Sequence, residues 1–317
     1  MSTVDVIIPV YRPDQKLEQL IGLLNRQTVS PEHIFFMQTM TGEIAEDFRV
    51  ESSLKRAKNA QIIKVHKLEF DHGGTRNQGA AMSQADYMLF MTQDAVPQDE
   101  RLIEELLRTM ESRESIATAY GRQLPNDEVG AIERFTRDFN YPDEPRIKSQ
   151  KDLDELGIKT YFCSNVCAMY RRTVYEEMNG FVLHTIFNED MIMAAKVINA
   201  GYEIAYVPTA SVIHAHKYTY RQQFTRNFDL AVSQRQYHEI FDQVKSESEG
   251  IRLVKRTAKH LFVTRKGYLI PDLIFQSAFK YMGYFLGKRY DKLPLWLVKK
   301  CSMNKAYWEE PQWKTRQ

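Results

Sequence analysis

Apolar residues recur along this chain in two rhythms, and the rhythms alternate. Val4–Val10 is a short apolar run of the kind that forms a buried strand. Pro13 and Asp14 then open a stretch where Leu17, Leu20, Ile21 and Leu24 recur three and four apart, which predicts a helix with one apolar face. Ile34–Met37, Gln61–Val65 and Tyr87–Met91 repeat the strand pattern, the last running into Thr92-Gln93-Asp94. Between the latter two, residues 70–77 (Phe-Asp-His-Gly-Gly-Thr-Arg-Asn) read as a glycine turn feeding a short helix. Leu102, Ile103, Leu106, Leu107 and Met110 mark another helix face, and Ile116–Tyr120 a further strand. Strands alternating with helices predict an α/β fold, a mostly parallel sheet with helices on both faces.

The second half is less regular. Leu124–Gln150 is polar and carries Pro125, Pro142 and Pro145, which predicts a long loop of the kind that often binds or covers a ligand. Val166–Tyr170 and Glu203–Val207 read as strands, with a helix between them starting near Asp190. Past Tyr220 the pattern turns helical and basic. The expected organisation is an α/β domain over residues 1–230 and a helical C-terminal region over 231–317, with no internal repeat or low-complexity segment.

Composition adds a location and an asymmetry. At 43% hydrophobic and 26% charged, the 317 residues are those of an ordinary globular protein. The opening residues lack a basic stretch followed by a long apolar run, so no secretory leader is expected, and no run reaches the roughly 18 apolar residues of a spanning helix. Three cysteines (Cys163, Cys167 and Cys301) are too few for a disulfide framework and favour a reducing cytoplasm. The net charge of +2 conceals two opposite halves. Residues 251–317 hold 15 Lys/Arg and 4 Asp/Glu, net +11, against 28 and 37, net −9, in the rest. All three tryptophans, Trp296, Trp308 and Trp313, lie in the basic part. Basic plus aromatic points to an anionic surface, lipid or nucleic acid; a solvated helical tail is the plainer reading.

In a sheet wound this way ligands bind beyond the carboxyl ends of the strands. Asp94 stands there and is suited to a divalent cation bridging diphosphate oxygens, or to capping the next helix. Glu189-Asp190 begins a helix, where a carboxylate is commonly a cap. His214 and His216 follow a strand and offer imidazoles to the same metal; on an extended chain only one of them would face it. Gly73 and Gly74 precede Arg76, whose guanidinium together with backbone N–H groups suits a phosphate. A dinucleotide fingerprint, a phosphate-binding P-loop, a zinc ribbon and a serine-hydrolase elbow are all missing from the sequence.

Together these pieces resemble family 2 glycosyltransferases of the GT-A fold. The likeness rests on the order of Val-Ile-Ile-Pro-Val-Tyr (6–11), Gly-Gly-Thr-Arg-Asn (73–77), Leu-Phe-Met-Thr-Gln-Asp-Ala (89–95), Asn-Glu-Asp (188–190) and His-Ala-His (214–216), and spans about residues 1–230. More narrowly, residues 70–77, 120–125 and 224–229 resemble bacterial rhamnosyltransferases of surface-polysaccharide assembly. The resemblance implies an inverting transfer of L-rhamnose from dTDP-β-L-rhamnose to a lipid-linked glycan, assisted by Mg²⁺ or Mn²⁺. Asp94 would match the metal-binding aspartate, with His214 or His216 as late ligand. Asp190 would match the general base beside Glu189. Pro9, Tyr11, Gln38, Gly73, Gly74, Arg76, Gln93 and Asp94 are the candidate donor contacts. Two departures stand out: Thr92 replaces the first metal-site aspartate, and residues 38–42 (Gln-Thr-Met-Thr-Gly) replace the usual acidic nucleoside-reading segment.

The basic tail would then lie on the anionic inner face of the cell membrane, and a homo-oligomer is a further partner the reading admits. The alternatives are a UDP-hexose donor, a sugar nucleotidyltransferase, or a non-catalytic nucleotide- or nucleic-acid-binding module. The nucleotidyltransferase would want a glycine-rich loop after the first strand, where none stands. No nucleic-acid motif is present, so nucleic acid is not an expected partner.

Overall fold

The computed structural model describes residues 2–244 and 247–309, so Trp313 lies outside the described residues. Two compact units make up the chain. The first combines residues up to 126 with 141–183 and 190–215; the second combines 127–140 and 184–189 with the chain from 216 onward. The division therefore falls at 216 rather than 231, and two internal segments of the expected first domain belong to the second unit.

The first unit opens with β1 (Val4–Val10), α1 (Lys16–Leu24), β2 (Ile34–Thr39), α2 (Ile44–Leu54), β3 (Ala60–Val65), α3 (His72–Ala80) and β4 (Tyr87–Met91). β5 (Val96–Pro97), α4 (Leu102–Glu111) and β6 (Ile116–Leu124) follow. β1 pairs in parallel with both β2 and β4, and β2 with β3. Successive residues of β1 take opposite sides. Val4, Val6, Ile8 and Val10 share a core with Leu17, Leu20 and Leu24 of α1 and Leu102, Ile103 and Leu106 of α4. Ile7 points the other way, where a Cβ added to Gly79 of α3 would lie 2.6 Å from its Cγ2. Helices thus cover both faces of the sheet.

The expected loop over 124–150 contains two regular elements, α5 (Ala131–Asn140) and β7 (Arg146–Lys148). Pro125 and Pro142 flank the helix without entering it. Its Ile132, Phe135 and Phe139 recur at helical spacing, a stripe obscured by six charged residues across 127–138.

After α6 (Leu153–Leu156), β8 (Cys167–Arg171) enters antiparallel between β4 and β6, so the sheet is mixed. α7 (Arg172–Glu177) and α8 (Glu189–Asn199) lead to β9 (Glu203–Ile213), longer than expected, which pairs in parallel with β6 and antiparallel with β5 and β7. The described sheet has nine strands, ordered β3-β2-β1-β4-β8-β6-β9-β5, with β7 beside β9.

The second unit is helical: α5 together with α9 (Tyr220–Gln236), α10 (His238–Phe241), α11 (Glu247–Val263), α12 (Ile270–Gly287) and α13 (Leu295–Cys301). Thr219 caps α9 in a reciprocal pair with Gln222. Gly283 and Gly287 let α12 touch the backbone of α9, since a Cβ at either would fall 2.2 or 2.3 Å from the carbonyl oxygens of Phe224 and Phe228. Phe228, Val232, Tyr290 and Trp308 form one core, and Ile132, Leu261 and Leu273 another.

Candidate active site

The ends of β1 and β4 are tied together by one side chain. Gln93 Oε1 accepts the N–H of Tyr11 at 2.8 Å, while its Nε2 donates to the Tyr11 carbonyl at 2.9 Å. The Gln93 carboxamide is therefore engaged in fixing Tyr11, whose ring is exposed and attended by Arg12 and Lys67 at 5.7 and 5.9 Å. Pro9 sits within β1 opposite Met37. Gln38, near the end of β2, is buried; its Nε2 donates to the Asp47 carbonyl at 2.9 Å, and its Oε1 has no protein partner. The neighbouring loop is pinned by Asp47, whose carboxylate accepts from the N–H and hydroxyl of Thr41 and the N–H of Gly42. No sequence signal separates Asp47 from the other acidic residues of its polar segment.

The glycine segment forms the first turn of a helix. α3 starts at His72, so both glycines lie inside the helix. Asp71 caps it, its Oδ1 accepting the Gly74 N–H at 2.6 Å. At Gly73 an added Cβ would lie 2.0 Å from the Val182 carbonyl oxygen, so this residue permits close passage of the 181–183 segment. Asn77 fixes the same segment by donating to the Phe181 carbonyl and accepting its N–H. Arg76 is buried, and its Nη1 donates to the His72 carbonyl at 2.8 Å. Sequence reasoning assigned these residues to a ligand; here the Gly73 backbone and the Gly74 N–H serve the packing of α3.

Asp94 and His214 do come together. Asp94 follows β4, and His214 follows β9, whose terminal Ile213 pairs with Val96. His214 Nε2 lies 3.5 Å from Asp94 Oδ2, both side chains largely buried. His214 Nδ1 lies 3.1 Å from Gln123 Oε1, and Gln123 Nε2 donates to the Ser164 hydroxyl at 3.1 Å. With Gln123 Oε1 facing the ring, Nδ1 is the nitrogen held by the protein and Nε2 the one turned to the Asp94 carboxylate. An imidazole nitrogen and a carboxylate oxygen at this distance are placed to share a positive charge, that of a metal ion or of a ring proton. Strand alternation does not choose between the histidines, because both lie past the end of β9; His216 is the first residue of the second unit's main segment.

Asp190 lies in the first turn of α8, partly exposed, beside the buried Glu189. One Asp190 oxygen accepts the Met191 N–H at 2.7 Å and the other the Asn165 N–H at 3.4 Å. Asn165 is itself held by the hydroxyl of buried Tyr170, which donates to its Oδ1 at 2.9 Å. Tyr170 is held neutral, since burial and then the nearby Cys163 thiol raise its pKa well above the usual phenol value. Neither Asn165 nor Gln123 was singled out in the sequence, because their partners are distant along it.

A family model for glycosyl transferase family 2 matches residues 5–178. The chain is 37% identical over 316 residues to O-antigen chain rhamnosyltransferase RfbN of Salmonella typhimurium, covering 98% of this chain and 97% of that protein. It is 36% identical over 320 residues to O-antigen chain rhamnosyltransferase WbaN of Salmonella anatum, covering 99% and 98%. Among solved structures, a mannosyltransferase from Pyrobaculum calidifontis, in complex with GDP-Man and Mn²⁺, matches with TM-score 0.55 at 12% identity over 97% of this chain and 85% of that one. S. aureus TarS 1-349 matches with TM-score 0.53 at 13% identity over 92% and 91%.

Proposed function

The chain belongs to glycosyl transferase family 2, and we propose that it transfers L-rhamnose from dTDP-β-L-rhamnose to a hydroxyl of a lipid-linked glycan in surface-polysaccharide assembly. The observation that carries this reading is identity above one third, over nearly full length, to two O-antigen chain rhamnosyltransferases.

The geometry supports an inverting mechanism in which the chain positions two partners. Asp94 and His214 would hold a divalent cation, Mg²⁺ or Mn²⁺, with His216 as an added ligand; a carboxylate oxygen suits either ion, while imidazole nitrogens favour Mn²⁺. When bound, the cation offsets charge on the departing nucleoside diphosphate. Asp190 takes the proton from the acceptor hydroxyl as that oxygen attacks the anomeric carbon, so a β-linked donor gives an α-linked product. Its contacts with the Met191 and Asn165 N–H groups hold the carboxylate in place, and each carboxylate oxygen has more than one lone pair. On the donor side Tyr11, held by Gln93, offers an exposed ring, and Pro9 and Gln38 support the neighbouring strand ends. Gly73, Gly74 and Arg76 act there chiefly by shaping α3, with the positive charge of Arg76 favouring the phosphates. Glu189 orients the site from beside the base.

The second unit supports docking on the anionic cytoplasmic membrane face. Ile274, Phe275, Ala278, Tyr281, Met282 and Phe285 form an exposed stripe at helical spacing along α12, and Phe262, Val263, Tyr268 and Trp296 are also exposed. Lys255, Arg256, Lys259, Arg265, Lys266 and Lys300 are exposed, with Lys299 half-buried. Phe279 is half-buried and stacks on Tyr220 instead of facing outward. No helix among the described residues is long and apolar enough to cross a membrane.

Turnover of a panel of nucleotide-sugars with Mn²⁺ or Mg²⁺ present tests the donor. Release of dTDP from dTDP-rhamnose is expected. Turnover of a UDP-hexose with none of dTDP-rhamnose would replace the donor and leave the family intact.

A further inference from the structure

The second unit contains a cleft of about 420 Å³ between the start of α5, the 216–220 segment and the first turns of α12. Glu133, Lys217, Tyr218, Tyr220, Asp272 and Gln276 line it. We propose that this cleft binds a neutral hexose residue of the acceptor glycan, a sugar other than the one whose hydroxyl reacts. The inference rests on the glycosyl-transfer reading and adds a substrate subsite to it.

The volume lies in the range of small-molecule sites and accommodates one or two sugar rings. The lining has the two kinds of group a sugar needs. Carboxylate and carboxamide side chains meet hydroxyl groups as acceptors and donors, while tyrosine rings offer an apolar wall to the C–H face of a pyranose. These groups are held in advance. The Tyr220 hydroxyl donates to Asp272 Oδ1 at 2.5 Å, and Gln276 Nε2 donates to Asp272 Oδ2 at 3.0 Å. Two of the roughly four lone-pair sites of the carboxylate are thereby used, which fixes its orientation and leaves acceptor capacity for a ligand. The Tyr220 ring is fixed in turn by stacking on Phe279, with centroids 5.5 Å apart, and by a tilted contact with Phe275 at 6.3 Å. A site so pre-ordered avoids the entropy of arranging its side chains on binding.

Charge decides which half of the reaction the cleft serves. Two carboxylates, Glu133 and Asp272, line it together with Lys217 and His216, and Glu133 is paired with Arg137 at 3.2 Å. A lining in which the charges are nearly balanced offers no cationic cluster for a diphosphate and suits neutral hydroxyls, so the cleft fits the acceptor rather than the nucleotide-sugar. A lipid-linked glycan carries several sugars behind the reacting one, and gripping one of them would use binding energy remote from the chemistry to position the acceptor.

The test uses the full chain. Methyl glycosides of mannose, galactose, glucose and rhamnose are screened by saturation-transfer NMR against the wild type and against Asp272→Asn and Gln276→Leu. Melting temperatures are recorded to verify folding. At least one neutral glycoside is expected to bind, with affinity falling about three- to tenfold in each variant, the loss of one hydrogen bond. Failure of every glycoside to bind, unchanged binding in both folded variants, or displacement of the bound glycoside by dTDP would overturn the proposal. Turnover of dTDP-rhamnose is measured on the same preparations. Normal turnover alongside any of those results removes the acceptor cleft alone, whereas absence of all nucleotide-sugar turnover removes the transfer reading itself.

Discussion

Asp190 has two readings that a single atom separates. Its oxygens accept backbone N–H groups of Met191 and Asn165, contacts that a capping carboxylate and a catalytic base would both make. Asparagine retains an oxygen for such contacts and caps helices as well as aspartate, but its amide cannot accept a proton from the acceptor hydroxyl. Asp190→Asn is therefore expected to slow transfer by about 10²- to 10⁴-fold, with donor affinity and melting temperature near wild type. Wild-type turnover in that variant would return Asp190 to a cap. At this scale the sequence marked Asp94, Asp190 and the pair His214 and His216, because polar residues just beyond strands and at helix starts stand out against apolar runs. It did not mark Gln123, which sits inside β6 and acts on a histidine 91 positions away. Nor did it show that Gly73 and Gly74 serve helix packing, because the neighbouring 181–183 segment lies over a hundred positions further on.

Packing between elements gives predictions whose sign is informative. Replacing glycine with alanine inside an exposed helix ordinarily stabilises by about 1 kcal/mol. Gly250 in α11 has open space around it, so Gly250→Ala is expected to follow that rule. Gly283→Ala would drive a methyl group into the Phe224 carbonyl of α9 and is expected to destabilise by about 1–3 kcal/mol. Denaturant titration of the pair checks this, and two stabilised variants would refute the close approach. β7 carries a second case. Buried Lys148 donates to the carbonyls of Lys159 and Phe162 and, at 3.2 Å, to the Tyr120 hydroxyl. Burial lowers its pKa from 10.5 to about 7. Below pH 7 both folded and unfolded chains carry the proton and folding bears the full desolvation cost. Between pH 7 and 10.5 the unfolded chain binds more protons, so stability rises with pH, by at most about 1.4 kcal/mol per unit. Relative to Lys148→Met, the wild type should gain melting temperature from pH 7 to 9, while the variant's lost hydrogen bonds add a constant offset. A gap that does not change with pH would mean Lys148 titrates normally. Strand order was hidden at this scale, since nothing local records that β8 turns antiparallel between β4 and β6.

For the whole molecule, the opposed charges of the two ends of the sequence were plain from composition, whereas the units themselves were not. The basic residues exposed on the second unit should each contribute about 1 kcal/mol near an anionic bilayer. Cosedimentation is expected with vesicles containing anionic lipid, diminishing with salt, and not with neutral vesicles; equal and negligible binding to both would refute the membrane reading. The units also cross in the chain: the second takes α5 and residues 184–189 from within the span of the first. Recombination feels that arrangement directly. A chimera joined to a relative at position 216 would pair one parent's α5 with the other parent's α11, although Phe135 stacks on His260 at 4.4 Å and Arg256 covers Phe139 at 5.5 Å. An exchange of the whole second unit between such enzymes would therefore have to carry three separate inserts together, and a lone crossover would inherit mismatched halves of one helical core.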